Sequence, residues 1–357
     1  MTSSTARPDA TPATAGQVFK PPRSFSEFPA YDDLPNFRRF WVWGPAGSYE
    51  EALGMLNMLT PELVARAAAK EIRSGERVGL GWEFHMLDHP SFGRCDFKMD
   101  IKWVNYPFAF DDEYHMNPQQ SSQWDGFRHH AQQVDPTAIR AELSNVTDPD
   151  SAAVWYGGTS AHEILDRSNA RLGLHNWAKK GIAGRGVLLD YATWAAEQGI
   201  SYSAFEKHAI PLADLLAVAA RFGVAFEPGD ILLVRIGLVP EWNSRPVEWR
   251  REYKANFPPS HAGVEQSEEL MRWLWDNHFT AIAGDSVSWE LYPNPNPTYS
   301  VHQIALAGWG VPIGELFDLE ALAAECARHN RYSFFFTSMP FNAVGAVSSP
   351  PNAMAIF

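Results

Sequence analysis

Two short apolar runs, GVLLD at 186–190 and DILLVRI at 230–236, constrain the fold more than any other feature of this chain. Each is bounded by Gly or Asp and too short for an ordinary helix, as strands buried in a core are. Between them, PLADLLAVAARF at 211–222 has helical spacing and stops at Gly223. Helices are expected again at 264–277 and 319–329, each followed by a strand, at 279–283 and 332–338. Upstream, Thr60 and Pro61 ahead of ELVARAAAK offer an N-cap and a proline at N1, with Gly75 as the expected stop. The aromatic, β-branched run IKWVNYPFAF at 101–110 predicts one strand despite Pro107. Partial alternation of helix and strand gives an α/β class and leaves the strand order open.

With 45% hydrophobic and 13% aromatic residues, 357 residues suffice for a large core. The first 24, rich in Ser, Thr, Ala and Pro, read as a disordered tail, and 25–357 as one domain. A net charge of −13 works against nucleic acid and anionic membrane as partners and favours a small-molecule substrate. No run reaches the ~18 apolar residues of a membrane helix. Cys95 and Cys326 form no CxxC pair and read as structural thiols. A cytoplasmic location is the expectation.

Candidate chemistry centres on QQSSQWDGFRH at 119–129. It has the spacing of H-x-x-x-H-x-D-x-x-x-H, a run that brings three imidazoles and a carboxylate to a divalent metal, but Gln119 and Gln123 replace the first two histidines. Asp125 and His129 remain. A second pair, His302 and Glu315, lies downstream in an apolar stretch. A core histidine bonded to a backbone carbonyl and a carboxylate at a helix start explain that pair as well as a metal site does.

In these residues the chain resembles the cyclase family of metal-dependent hydrolases, which includes kynurenine formamidase and isatin hydrolase. The segments carrying the resemblance are LGMLNMLTPELV at 53–64, QSSQWDGFRH at 120–129, GIAGRGVLLDY at 181–191, EPGDILLVRIG at 227–237, GDSVSWELYP at 284–293, LAGWGVPIGELFDLEALA at 306–323 and SSPPNAMAI at 348–356. The resemblance implies a swivelling β/β/α fold and a homodimer or homotetramer. It also implies a site in which Asp125, His129, His302 and Glu315 keep the ligands of one metal. Gln119 and Gln123 stand where the other metal's histidines would be, and Phe127 where the family has proline.

An amide oxygen is a weak ligand for zinc or manganese, so one divalent ion, Zn or Mn, is the most this set is expected to hold. Catalysis would fall to His129, Asp125 and Glu315. With the metal, that implies hydrolysis of an amide, ester or lactone. Without it, an Asp/His/Glu acid-base cluster remains for cyclisation or lactonisation, with neighbouring His130 as a further proton carrier. The substrate expected is a small aromatic or polyketide-like carbonyl compound, and a place in secondary metabolism is implied. Two alternatives stay open: a catalytically retired family member that binds a small ligand or acts structurally, and a kynurenine formamidase-type amidohydrolase.

Gln119, Gln123, Trp124, Phe127, Asn57 and Arg235 complete the candidates, as substrate contacts. For Trp124 and Phe127 the competing reading is core. For Arg235, as for Arg185, it is an ion pair with Asp190 or Asp230. Asp285 and Glu290 read either as a turn or as groups orienting ligands.

Overall fold

The computed structural model describes residues 21–89, 92–135, 146–256 and 259–357. The expected tail therefore falls, up to residue 20, outside the described residues. Nine strands form the main sheet: β1 (Arg77–Gly79), β2 (Gln123–Asp125), β3 (Ile182–Asp190), β4 (Ile231–Arg235), β5 (Ala281–Gly284), β6 (Ile313–Glu315), β7 (Ser333–Ser338), β8 (Ser348–Ser349) and β9 (Ala353–Ile356). Their order is β1-β9-β7-β3-β4-β5-β6-β2-β8. Strands β3 to β6 run parallel, and antiparallel strands flank them on both sides.

The sheet curls until its ends meet. Gly81, just past β1, bridges to Phe317, just past β6. The Trp124 indole on β2 donates to the Ser338 hydroxyl on β7 at 2.9 Å.

The two apolar runs form the centre of this sheet, where Val187, Leu188, Leu189, Ile231, Leu232 and Leu233 are all fully buried. Each such side chain contributes roughly 1.5–3 kcal/mol by leaving water. Among the helices are α1 (Pro61–Glu71), α2 (Leu212–Phe222), α3 (Glu268–Asp276) and α4 (Glu320–His329), of which α1 and α2 pack on β3. Helix α2 turns Leu215, Val218 and Ala219 inward, the i, i+3, i+4 face its sequence predicts. The α/β class is as expected.

Four local expectations need correction. Helix α1 starts at the Thr60 cap but ends at Glu71, before Gly75, where the Ile72 N–H closes the last turn on Ala68. The strand expected at 101–110 is instead an antiparallel ribbon of Lys98–Asn105 and Ala109–His115, with Pro107 in its turn. Proline lacks the N–H a ladder needs and sits well in a turn. Helix α3 begins at Glu268, capped by the Ser267 hydroxyl, because Val264 is used in a short strand. Glu315 ends strand β6 and does not cap a helix.

Both arginines beside the central strands are structural. Arg185 donates to Glu71 at 3.0 Å and to Asp230 at 2.6 Å, and Arg331 also reaches Glu71 at 2.6 Å. Arg235, expected as a substrate contact, holds Asp190 at 2.7 Å and both oxygens of Glu320, at 2.8 and 2.6 Å. Asp285 accepts from the backbone N–H groups of Ile236, Gly237 and Leu238 and so anchors the helix Leu238–Ser244. Cys95 and Cys326 are free thiols, and no described helix is long and apolar enough to cross a membrane.

Removing one partner of a buried ion pair leaves the others uncompensated, at a cost of about 3–5 kcal/mol. Arg185→Ala is therefore expected to lower the unfolding free energy by about that much in urea titration, since Glu71 and Asp230 are buried.

Candidate active site

The site is built where β2 meets β6. These strands pair antiparallel, Gln123 opposite Glu315, Trp124 opposite Gly314 and Asp125 opposite Ile313, so both carboxylates come from adjoining strands. Gly314 permits the close approach, for a Cβ there would lie 2.8 Å from Ala283 and 3.0 Å from the Trp124 ring. After β2 the chain turns at once, with the His129 N–H donating to the Gly126 carbonyl at 2.8 Å, and returns the His129 ring toward Asp125. His302 opens a wholly buried π-helix, His302–Trp309. Gly308 lies where the incoming chain crosses that helix: a Cβ would stand 1.8 Å from the Arg38 carbonyl oxygen.

Three predicted ligands converge. Asp125 Oδ2 lies 3.6 Å from His129 Nε2 and 3.7 Å from His302 Nε2. Asp125, His129 and His302 each offer a donor atom within 4.8 Å of the other two. The fourth, Glu315, stands outside that trio but beside it, its Oε1 3.1 Å from His302 Nε2. Asp125 Oδ2 is buried and has no hydrogen-bond partner among the described residues.

Glu290 sets the orientation of His302. Its Oε1 lies 2.7 Å from His302 Nδ1, and its oxygens accept the backbone N–H groups of Val301 at 2.8 Å and His302 at 3.0 Å. Gln266 Nε2 adds a further bond at 2.9 Å. This carboxylate both caps the π-helix and aims His302 Nε2 at Asp125 and Glu315. The turn reading is thus superseded for Glu290.

Electrostatics divide the groups. Burial works against ionised Asp125, but the His129 and His302 imidazoles hold its carboxyl below the usual range. Burial, and then the Asp125 charge, push Glu315 up. Burial disfavours the His302 imidazolium, yet Asp125, Glu290 and Glu315 raise it well above an ordinary histidine. His129 and His130 are both lowered, mainly by burial, His130 to about 3.

The two glutamines face these carboxylates with their N–H groups. Gln119 Nε2 lies 3.0 Å from Asp125 Oδ1 and 2.9 Å from His129 Nδ1. Gln123 Nε2 donates to Glu315 Oε2, while its own Oε1 is buried without a partner. Trp124 and Phe127 are core: both are fully buried, Trp124 edge-on to Phe317 and Phe127 packed on Tyr156 and Trp177. Asn57 serves its own turn, donating to the Glu50 and Gly54 carbonyls.

Sequence reasoning missed Arg94 and His261. Arg94 donates to the Gln119 carbonyl at 2.5 Å and makes no ion pair among the described residues, leaving its charge to act on Asp125 and Glu315. His261 is fully buried beside Ser288. Neither belongs to a motif with readable spacing.

The family model described as Putative cyclase matches residues 42–291. The chain belongs to this cyclase family. A crystal structure described as a novel cyclase superposes with a TM-score of 0.70 at 26% identity, covering 87% of this chain and 97% of that one. Isatin hydrolase A from Labrenzia aggregata, bound to benzyl benzoate, gives 0.48 at 13% identity over 82% of this chain and 97% of its own. Isatin hydrolase A from Ralstonia solanacearum gives 0.47 at 14%, over 83% and 95%. No functionally curated protein matches. The family match includes Gln119 to His129 and Glu290 but ends before His302 and Glu315, which the fold itself brings to the site.

A carboxylate that orients a ligating histidine typically accounts for a 10–100-fold effect on metal affinity. Glu290→Gln is expected to weaken Zn²⁺ or Mn²⁺ binding about 10–100-fold in chelator competition, with circular dichroism unchanged.

Proposed function

We propose that this cyclase-family chain is an enzyme that hydrolyses or ring-closes a small carbonyl compound, with one divalent ion held by Asp125, His129 and His302. One observation carries the reading: the buried, unpartnered Asp125 Oδ2 faces two imidazoles, one of them oriented by a carboxylate behind it. Two imidazole nitrogens and one carboxylate are a donor set suited to Zn²⁺ or Mn²⁺, an ion that would displace the proton His302 holds between Glu290 and Glu315. When bound, such an ion supplies Lewis acidity at the reacting carbonyl.

The chain's own groups supply the rest. Glu315, raised by its surroundings and 3.1 Å from His302, carries a proton to or from the substrate. Gln119 and Gln123 steady the carboxylates by donating N–H groups. Arg94, which donates to the Gln119 carbonyl and lies over the Phe92 ring, offers a positive charge for an oxyanion or a substrate carboxylate. A two-ion formamidase arrangement fits less well, because Gln119 and Gln123 turn their N–H groups to the acids and an amide oxygen is a weak ligand for such ions.

A metal-free reading is favoured by one specific contact. The Gln119 amide already occupies Asp125 Oδ1 and His129 Nδ1, as it would in a purely acid-base cluster.

Metal analysis after loading with Zn²⁺ or Mn²⁺ tests the choice. One equivalent in the parent and less than about a tenth of that in Asp125→Asn and His302→Ala is expected, given how strongly each ligand counts toward a three-residue site. Glu315→Gln is expected to keep its metal but lose turnover of aryl amides, esters or lactones by about 100-fold or more, the scale of a lost general acid or base. A parent that binds no metal yet turns over substrate in EDTA would replace this reading with the acid-base one.

A further inference from the structure

The ribbon of Lys98–Asn105 and Ala109–His115 forms a separate sheet of two strands, outside the curled sheet. It carries eight of the eighteen large hydrophobic side chains exposed among the described residues. Its register sorts them. Met99 faces Tyr114 and Trp103 faces Phe110, with Ile101 between them, so one face is almost wholly apolar. The other bears Lys98, Asp100, Lys102, Asp111 and Glu113. Exposures run from 49% at Met99 and Trp103 to 83% at Phe108 near the tip. A lone two-stranded ribbon is marginal in water, and neither of its edges is paired among the described residues.

Charge identifies the partner. If strand Lys98–Asn105 pairs antiparallel with itself about Ile101, Asp100 falls opposite Lys102 on both sides of the axis and Met99 falls opposite Trp103. The same operation on Ala109–His115 about Asp112 sets Asp111 against Glu113, which repel. One edge is therefore self-complementary and the other self-excluding. A chain with a net charge of −13 repels its own copies elsewhere, so the charge-matched edge decides where they meet.

We propose that the ribbon is the interface between two copies of this chain, with the Lys98–Asn105 strands paired about a twofold axis at Ile101. The ribbons then form one four-stranded sheet whose apolar faces are continuous.

Sedimentation velocity of the full chain with two charge variants is the test. The parent is expected to dimerise. Asp100→Lys places lysines against lysines and Lys102→Glu places acids against acids, so each alone is expected to raise the dimer dissociation constant at least tenfold. An equimolar mixture of the two restores opposite charges at every position and is expected to form a heterodimer near parental affinity, which also shows that both variants are folded. Parent protein that stays monomeric overturns the proposal, as do variants that dimerise like the parent or a mixture that does not associate. A monomer that sediments with phosphatidylcholine vesicles would overturn it in favour of a lipid surface.

Discussion

The Glu290 carboxylate accepts from the Val301 and His302 backbone N–H groups and from His302 Nδ1, and these bonds join fold to chemistry. They satisfy orphan donors at the start of a buried π-helix, which a wholly apolar setting would leave costly. They also fix which nitrogen of His302 looks into the site. With Nδ1 committed to Glu290, only Nε2 can meet Asp125 and Glu315. A single buried carboxylate thus serves as helix cap, histidine clamp and source of negative charge.

The curled sheet supplies the opposing half. Because β2 and β6 are antiparallel neighbours, Asp125 and Glu315 arrive on adjoining strands, and the tight turn after β2 brings His129 back over Asp125. None of these groups lies on a long loop, so the geometry is held by the strand ladder. The ion pairs of Arg185 and Arg235 lie on β3 and β4 of the same sheet and tie it to the helices at its ends.

Much of this was legible in the sequence. The buried runs at 186–190 and 230–236, the Thr60 cap and the helix at 211–222 follow from local chemistry that tertiary context did not override. The convergence of Asp125, His129 and His302 came from motif spacing joined to family resemblance, because periodicity says nothing about residues this far apart. Other features were not legible for physical reasons. Whether Arg235 meets a substrate or Glu320 depends on how α4 packs, and whether Trp124 faces a ligand or the core depends on a strand of three residues. Arg94 matters only through its position beside Gln119. The ribbon reads as one strand from its aromatic and β-branched content, whereas the missing N–H of Pro107 suits the turn that divides it.

Gln119 and Gln123 now have a defined place. They are hydrogen-bond donors to Asp125, His129 and Glu315, and so clamp the acids of the site in place. The most direct test of the account is anomalous diffraction from crystals soaked in Mn²⁺. One peak is expected, ligated by Asp125 Oδ2, His129 and His302, with both glutamine side chains outside coordination distance. Two peaks, or a single peak ligated through Gln119 or Gln123, would contradict it.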